Sequence, residues 1–239
     1  MTPAHLVLTL GLRGSASTWS YNVARELMAA AFGADAVAAC FANRLEDLLN
    51  DRGTPGRRVV CKTHGFAALD VFAHLAQARV IATVRDPRDA VLSLIERFGA
   101  SPEAAVRGVA QGCAWAEWCR ASGHLVLRYE DRFFDAPDSV RRVARHLGLR
   151  VTAADRARIF AAWRTDAVRS FAAGVAELPA ARVVRDGGVY LFDRVTQIHR
   201  THIGDGRSGK WRERFDAPTQ AELTRLFAPF LAGFGYTEI

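Results

Sequence analysis

Short apolar runs alternate along the chain with longer stretches of helical periodicity. Four of these runs are predicted to be strands, over about His5–Leu10, Arg58–Cys61, Val80–Val84 and His124–Leu127. The third run contains almost only apolar residues, which is typical of strands buried on both faces of a parallel sheet. Strands that alternate with helices form βαβ units. The expected fold class is therefore α/β, a single domain over residues 1–239 with a central, mostly parallel sheet flanked by helices.

Capping signals place several helices between and after these strands. In Asp86-Pro87 and in Ser101-Pro102, a side chain that can cap a helix precedes a proline suited to the first helical position. We expect the helix after Ser101 to run to about Ala121, and further helices over about Thr18–Phe32, Pro137–His146, Thr152–Ala172 and Ala217–Ala232. The stretch from Gly174 to Asp205, which contains a Gly187-Gly188 turn, is expected to be irregular and is a candidate substrate or lid region.

Composition and length restrict the class of protein. No run of 18 apolar residues occurs among the 239, so no membrane insertion is expected. The four cysteines are widely spaced and form no Cys-x-x-Cys pair, which favours free thiols and a cytoplasmic location. The formal net charge of +7 favours an anionic partner. We see no helix-turn-helix, zinc or aromatic RNA-binding pattern, so nucleic acid is not expected as that partner.

The first candidate site lies between the first strand and the first helix. Small residues there let backbone N–H groups approach an anion, and the helix N-terminus adds a positive potential. The loop differs from the ATPase pattern G-x-x-x-x-G-K-[ST], because alanine replaces the second glycine and serine replaces the lysine. A tight strand–helix connection without any ligand is the alternative interpretation. The candidate anion-binding residues are Arg13, Gly14, Ser15, Ala16, Ser17, Thr18 and Trp19.

Two further clusters follow the second and third strands. Lys62 and His64 lie two residues apart, so an extended chain places them on the same side, and histidine can accept a proton near neutral pH. After the third strand, Arg85 precedes a helix on which Ser93 lies two turns from the cap. Arginine and a hydroxyl group can hold one phosphate at a helix N-terminus. An ion pair of Arg85 with Asp86 or Asp89, and a solvated loop for His64, are the alternatives.

A fourth cluster interleaves glycines with cations near the end of the chain. Such a loop can wrap a second phosphate, although a flexible basic loop is the simpler alternative. Ligands bind at the carboxyl ends of strands in open α/β sheets, so we expect the four clusters to converge on one crevice there. The loop residues are Gly204, Asp205, Gly206, Arg207, Ser208, Gly209, Lys210, Trp211 and Arg212.

Five short motifs in register resemble the cytosolic-type sulfotransferases, which use 3′-phosphoadenosine 5′-phosphosulfate (PAPS). The resemblance runs from about residue 5 to residue 215. Arg13–Trp19 stands in place of the family's P-K-S-G-T-T-W loop, with Gly14 where the family has lysine, and Lys62-Thr63-His64 matches its K-T-H. The remaining matches are Arg85 to Ser93 to the 3′-phosphate segment, Tyr129-Glu130-Asp131 to a segment near the adenine, and Gly206–Arg212 to the closing loop G-x-x-G-x-W-K.

The resemblance implies a P-loop NTPase-like fold and in-line transfer of a sulfuryl group to a hydroxyl or amine. His64 would be the general base, and Arg13 or Lys62 would supply the cation that Gly14 lacks. PAPS would be the co-substrate and adenosine 3′,5′-bisphosphate the product, with no metal required. The nucleotide would be bound by Arg13–Trp19, Arg85, Ser93 and Tyr129, and by Gly206, Arg207, Ser208, Gly209 and Lys210.

Under this interpretation the acceptor is a small molecule, or a glycan or natural product, and the oligomeric state is open. Two rival functions remain at this point. One is a P-loop kinase that uses Mg-ATP, against which the missing loop lysine counts. The other is a basic module without catalytic activity that binds anionic polymers. Preference for adenosine 3′,5′-bisphosphate without Mg²⁺ would separate the sulfotransferase from both.

Overall fold

A five-stranded parallel sheet forms the centre of the molecule. The structure is a computed structural model that describes residues 5–42, 57–65, 78–186, 190–201 and 203–236. The strands lie in the order β2-β3-β1-β4-β5, and every neighbouring pair is parallel. They span β1 Leu6–Gly11, β2 Val37–Phe41, β3 Arg58–Thr63, β4 Arg79–Val84 and β5 Leu125–Arg128. The predicted α/β class is confirmed.

Helices follow the strands on both faces of this sheet. Asp86 caps α2 (Pro87–Phe98) by accepting a hydrogen bond from the Arg88 N–H at 2.9 Å, and Ser101 caps α3 (Pro102–Ala121) in the same way, as the sequence predicts. A separate antiparallel pair, β6 Val183–Asp186 and β7 Tyr190–Asp193, lies later in the chain. The helices are α1 Ser17–Phe32, α2 Pro87–Phe98, α3 Pro102–Ala121, α4 Pro137–His146, α5 Ala153–Trp163, α6 Thr165–Ala173, α7 Trp211–Arg214, α8 Ala217–Leu226 and α9 Ala228–Phe234.

Alternate residues of the strands supply the core on opposite faces of the sheet. Val7 of β1 joins Val60 and Ile81 of its neighbours in a cluster with α1, α4 and α5. Leu8, one residue later, joins Val80 in a second cluster that packs on α3. Successive side chains of a strand point to opposite faces of the sheet, and both faces are buried here. The strands are therefore nearly continuous apolar runs in the sequence.

The structure corrects four of the sequence-based predictions. β2 had no predicted counterpart. The predicted helix Thr152–Ala172 is two helices that meet at Arg164, and Ala217–Ala232 is likewise two helices because Pro229 can only occupy a first turn. The stretch 174–205 contains the β6–β7 pair rather than being wholly irregular. The Gly187-Gly188 turn lies outside the described residues.

The topology determines where a ligand can bind. From β1 the chain goes to β2 and β3 on one side, and then crosses to β4 and β5 on the other side of β1. The strand order therefore reverses next to β1, and a crevice opens beyond the carboxyl ends of the strands at such a point. The loop after β1, the end of β3 and the segment after β4 all open toward this crevice.

Candidate active site

The loop between β1 and α1 is held by two residues with left-handed backbone conformations. Gly14 has a φ of +81°, and Ala16, the residue before α1, has a φ of +63°. Beneath the loop, the Ser15 hydroxyl is buried and bonds to the Leu12 and Thr83 carbonyl oxygens at 2.5 and 3.0 Å. Ser15 thus fastens the loop to β4, while the residues on either side of it face the crevice.

Gly14 lies against the start of the third cluster. A Cβ atom at this position would fall 3.0 Å from the Ser93 hydroxyl and 3.8 Å from Nη1 of Arg85. The same Nη1 donates to the Gly14 carbonyl oxygen at 3.3 Å. The first and third clusters, 71 residues apart in sequence, are therefore in direct contact.

Lys62 is a buried cation in the crevice. Its Nζ donates to the Thr18 hydroxyl at 2.8 Å, and its side chain is almost wholly buried. No carboxylate of the described residues lies within ion-pairing distance of it. Burial, reinforced by the positive charge of Arg13, lowers the pKa of Lys62 to about 7. A cation desolvated without a carboxylate has the environment expected of an anion-binding group.

His64 has a defined tautomer. Its Nδ1 lies 3.1 Å from the Gly11 carbonyl oxygen, which can only accept a hydrogen bond. Nδ1 therefore carries the proton, and Nε2 keeps a lone pair that can accept another. Burial, with the charges of Lys62 and Arg13, lowers the pKa of His64 to about 3. In the absence of an anion the imidazole is neutral at physiological pH.

Asp89 joins α2 to the closing loop near the end of the chain. Its buried carboxylate accepts hydrogen bonds from the Gly209 N–H at 2.7 Å and from the Trp211 N–H at 3.1 Å. Arg85 lies 3.4 Å from the same carboxylate and donates to the Arg207 carbonyl oxygen at 2.8 Å. The predicted fourth cluster thus reaches the third through its backbone.

The indole ring of Trp211 reinforces this connection. Arg88, whose guanidinium forms a two-point ion pair with Asp86, lies 3.9 Å from the centre of the ring. Arg212 also packs on the ring, at 4.4 Å. Guanidinium–indole contacts of this kind stabilise a fold by cation–π attraction and by packing. They fix the start of α7 against α2.

A cavity of about 820 Å³ occupies the crevice. Most of the sequence-predicted site residues line it, namely Arg13, Gly14, Ala16, Ser17, Thr18, Trp19, Lys62, His64, Arg85, Ser93, Tyr129, Gly206 and Lys210. Four predicted residues do not. Ser15 lies beneath the loop, the Arg207 and Ser208 side chains are exposed, and Gly209 faces Asp89. Their assignment to nucleotide binding stays a prediction.

Sequence reasoning missed several residues that line the cavity. Phe41 at the end of β2 was missed with its strand, although an apolar run that follows Gly33 is a usable strand signal. Trp163 and Thr165 come from the break between α5 and α6. There the Thr165 backbone and hydroxyl both bond to Asp135, a contact 30 residues away that no local pattern reveals.

Histidines outside the Lys62–His64 segment also bear on metal binding. His199 lines the cavity and stacks on Phe192 at 5.1 Å, and His202 lies outside the described residues. Within the described part of the chain, no group of three or more His, Cys, Asp or Glu residues could hold a metal ion.

None of the described helices combines the length and apolarity needed to cross a bilayer.

Comparison with known proteins gives structural matches only. No protein-family model matches the chain, and no curated protein matches it by sequence. The solved structures include mouse sulfotransferase SULT7A1 complexed with PAP. It shares 15% sequence identity, with a TM-score of 0.64, and the match covers 95% of this chain and 84% of that one.

Retinol dehydratase gives a similar match in two complexes. In its complex with retinol and PAP the identity is 16%, the TM-score is 0.59, and the match covers 97% of this chain and 82% of that one. In its complex with androsterone and PAP the identity is 15% at the same TM-score. At these identities the likeness establishes a shared fold. The chain has the fold seen in these PAP-bound proteins, and the fold predicted from the sequence resemblance is confirmed.

Proposed function

We propose that this protein is a sulfotransferase that moves a sulfuryl group from PAPS to a hydroxyl or amine of a small-molecule acceptor. The observation that carries the proposal is the convergence of Arg13, Lys62 and His64 at the N-terminus of α1. Two cations and a neutral imidazole lie together there, in a fold shared with proteins crystallised with PAP.

The cations that line the cavity fit an anion with two phosphates. Arg13, Lys62 and the Thr18 hydroxyl would hold the 5′-phosphosulfate at the helix N-terminus. Arg85 and Ser93 would hold the 3′-phosphate. Arg85 Nε is buried and lacks a hydrogen-bond partner among the described residues, as a donor reserved for a ligand would be. Trp19 and Tyr129 also line the cavity, and their rings suit a nucleobase and ribose.

His64 would act as the general base. The acceptor's oxygen or nitrogen forms the new bond to sulfur, its proton passes to Nε2 of His64, and the bond from sulfur to the phosphate oxygen breaks. Negative charges of the bound nucleotide offset the repulsion from Lys62 and Arg13, which raises the pKa of His64 from about 3 toward the range of an effective base.

Lys62 and Arg13 would stabilise the leaving phosphate. Negative charge accumulates there as the bond to sulfur breaks, and preorganised cations and N–H groups lower the barrier when they face that charge. Lys62 already holds its position through Thr18, so it needs little rearrangement to do so. Under this proposal, Arg13 and Lys62 together take the place of the lysine that the family has at the position of Gly14.

The rest of the cavity suits the acceptor. Its wall carries aromatic and aliphatic side chains, among them Phe41, Leu92, Phe98, Phe192 and Ile203, and the Phe41 ring lies 6.1 Å from the His64 ring. Such a surface binds small, partly apolar molecules and leaves a few polar groups to orient them. Residues 174–205 contribute Phe192 and Ile203, in agreement with their proposed role as a substrate or lid region.

The decisive variant is His64→Ala. Without the base, we expect turnover to fall about 10²–10⁴-fold with the affinity for PAP unchanged. Release of PAP from PAPS across a panel of hydroxyl- and amine-bearing acceptors measures turnover, and calorimetry measures PAP binding. His5→Ala removes an exposed histidine outside the cavity and is the matched control. Normal turnover by His64→Ala would refute the assigned base.

Thermal unfolding separates the rival functions. A sulfotransferase is stabilised by PAP in the absence of Mg²⁺, because ligands that bind only the folded state raise its stability. A kinase is stabilised by Mg-ATP instead. A polymer-binding module shows steeply salt-dependent binding to polyanions and no preference for PAP.

A further inference from the structure

The closing loop carries its own counter-charges. Asp205 Oδ2 lies 3.3 Å from Arg207 Nε and 3.4 Å from Lys210 Nζ. Each cation has a second carboxylate as well, since Glu213 lies 3.1 Å from Arg207 and Glu96 lies 3.5 Å from Lys210. Each of the two loop cations is therefore paired with two carboxylates.

Asp205 is the member of this network that is shared by both cations and faces the cavity. It lines the wall between Gly204 and Gly206. The side chain of Arg207 and that of its partner Glu213 do not line the cavity, and both are mostly exposed. A ligand at this end of the cavity therefore meets the carboxylate of Asp205 as well as the ammonium group of Lys210.

Contacts through Tyr129 connect this carboxylate with the Arg85–Ser93 end of the cavity. The Tyr129 hydroxyl donates to the Gly206 carbonyl oxygen at 3.4 Å, and the Arg85 guanidinium lies 4.5 Å from the Tyr129 ring centre. Burial raises the pKa of Tyr129, and the negative charge of Asp205 acts in the same direction. The Arg85 guanidinium also donates to the carbonyl oxygen of Arg207, two residues beyond Asp205, at 2.8 Å, so the segment that carries Asp205 contacts a group assigned to the second phosphate.

Asp205 is ionised at neutral pH. Desolvation opposes ionisation, but hydrogen bonds from Arg207 and the charge of Lys210 outweigh it and lower the pKa of the Asp205 carboxyl. Its Oδ1 accepts from the Arg207 N–H at 3.2 Å, a bond that an asparagine oxygen can also accept. The charge and the hydrogen bond can therefore be separated by one substitution.

We propose that Asp205 determines the nucleotide selectivity of the site: its carboxylate repels a second phosphate and holds Lys210 and Arg207, so that it limits the preference for a 3′,5′-bisphosphate over a 5′-monophosphate. The inference rests on the proposed function for the orientation of the nucleotide. In this role Asp205 weakens the binding of the second phosphate, whereas the neighbouring cations strengthen it. Arg85 remains the main partner of the second phosphate, and Asp205 determines how much the closing loop adds to the affinity for that phosphate.

The test compares two nucleotides on Asp205→Asn. The variant keeps the acceptor for the Arg207 N–H and removes the charge. We expect its affinity for adenosine 3′,5′-bisphosphate to rise about three- to tenfold, and that for adenosine 5′-monophosphate to stay the same. Calorimetry at low ionic strength gives both constants, and the gain should shrink at high salt because mobile ions screen partly exposed charges.

Glu213→Gln is the matched control. It removes one negative charge from a partner of Arg207 that does not line the cavity, so the ratio of the two affinities should remain that of the unsubstituted protein. The inference would be overturned if the affinity for the bisphosphate relative to the monophosphate were unchanged or smaller in Asp205→Asn. It would also be overturned if Glu213→Gln gained the same preference, because that would indicate an effect of net charge alone.

The measurement also distinguishes this inference from the proposed function. It needs only binding, so a protein that binds PAP selectively but transfers no sulfuryl group would overturn the function and leave the role of Asp205 intact. A protein that transfers the sulfuryl group, but whose ratio of bisphosphate to monophosphate affinity is unaffected by Asp205→Asn, would support the function and overturn the role of Asp205. Absence of any bisphosphate binding would overturn both. An unfolding temperature close to that of the unsubstituted protein, as expected for a surface substitution, shows that each variant is folded.

Discussion

Lys62 is the residue whose protonation should control anion binding. In the ligand-free protein its pKa is about 7, because burial and the charge of Arg13 favour the neutral form. A bound anion favours the charged form, so the pKa is higher in the complex. At a pH between the pKa of Lys62 without the anion and its pKa in the complex, binding of the anion is accompanied by uptake of a proton. The affinity for an anion must therefore fall as the pH rises.

This coupling predicts the pH dependence of PAP binding. From pH 7 to pH 9 the dissociation constant should increase by up to about tenfold per pH unit. Calorimetry in two buffers of different ionisation enthalpy at pH 8 should show proton uptake. In Lys62→Arg, whose guanidinium stays charged, the slope should flatten, whatever the absolute affinity. An arginine variant with the slope of the unsubstituted protein would show that another group titrates.

The chemistry of individual residues was partly predictable from the sequence. The types and spacing of Lys62 and His64 indicated a cation next to a base, and both line the cavity. Their burial was not predictable, since it depends on packing between strands far apart in the chain. The same holds for the tautomer of His64, which is set by a carbonyl oxygen 53 residues away.

At the scale of secondary-structure elements, Asp89 is the connection between α2 and the closing loop. Its carboxylate accepts two backbone N–H groups of the loop and pairs with Arg85. Replacing one carboxylate oxygen by an amide NH₂ places a donor against a donor. A buried N–H then loses its partner, at a cost of about 1–3 kcal/mol, and Arg85 loses its counter-charge.

We therefore expect Asp89→Asn to loosen the loop. The free energy of unfolding should fall by about 1–3 kcal/mol, and hydrogen exchange at Gly209 and Trp211 should accelerate more than in the rest of the chain. Denaturant titration and exchange mass spectrometry measure the two effects. Asp216→Asn is the control, because Asp216 caps α8 at an exposed site and asparagine caps equally well. Uniform acceleration would contradict a local role.

Elements with their own signals were predictable, and those defined by tertiary contacts were not. Asp86 and Ser101 mark the starts of α2 and α3 because each caps its helix. No local signal of comparable strength marks the break at Arg164, where Asp135 binds the first residue of α6. Pro229, by contrast, was a usable signal for the end of α8.

At the scale of the whole molecule, the burial of Lys62 makes stability depend on pH. Its pKa in the folded state, about 7, is below the 10.5 of an ordinary lysine. Below pH 7 both states carry the charge, and the folded state bears the full desolvation cost. Between about pH 7 and 10.5 the unfolded chain binds the extra proton. This contribution therefore makes the protein more stable as the pH rises through that window.

Lys62→Met tests this sign. At pH 6 the variant should be more stable than the unsubstituted protein, by on the order of 1–4 kcal/mol. The difference should narrow as the pH rises above 7. Urea unfolding at pH 6, 7.5 and 9 measures it, and PAP should no longer stabilise the variant strongly. A difference that does not change with pH would mean that Lys62 carries no desolvation cost.

Gly14 has a consequence for how this chain can change over evolutionary time. A lysine there would need a left-handed backbone and a Cβ atom 3.0 Å from the Ser93 hydroxyl. Placing a cation at that position therefore requires an earlier change in the loop or at Ser93. This is epistasis in a physical form: the effect of one substitution depends on the order in which others occur. Until such a change occurs, selection for anion binding at this loop acts on Arg13 and Lys62.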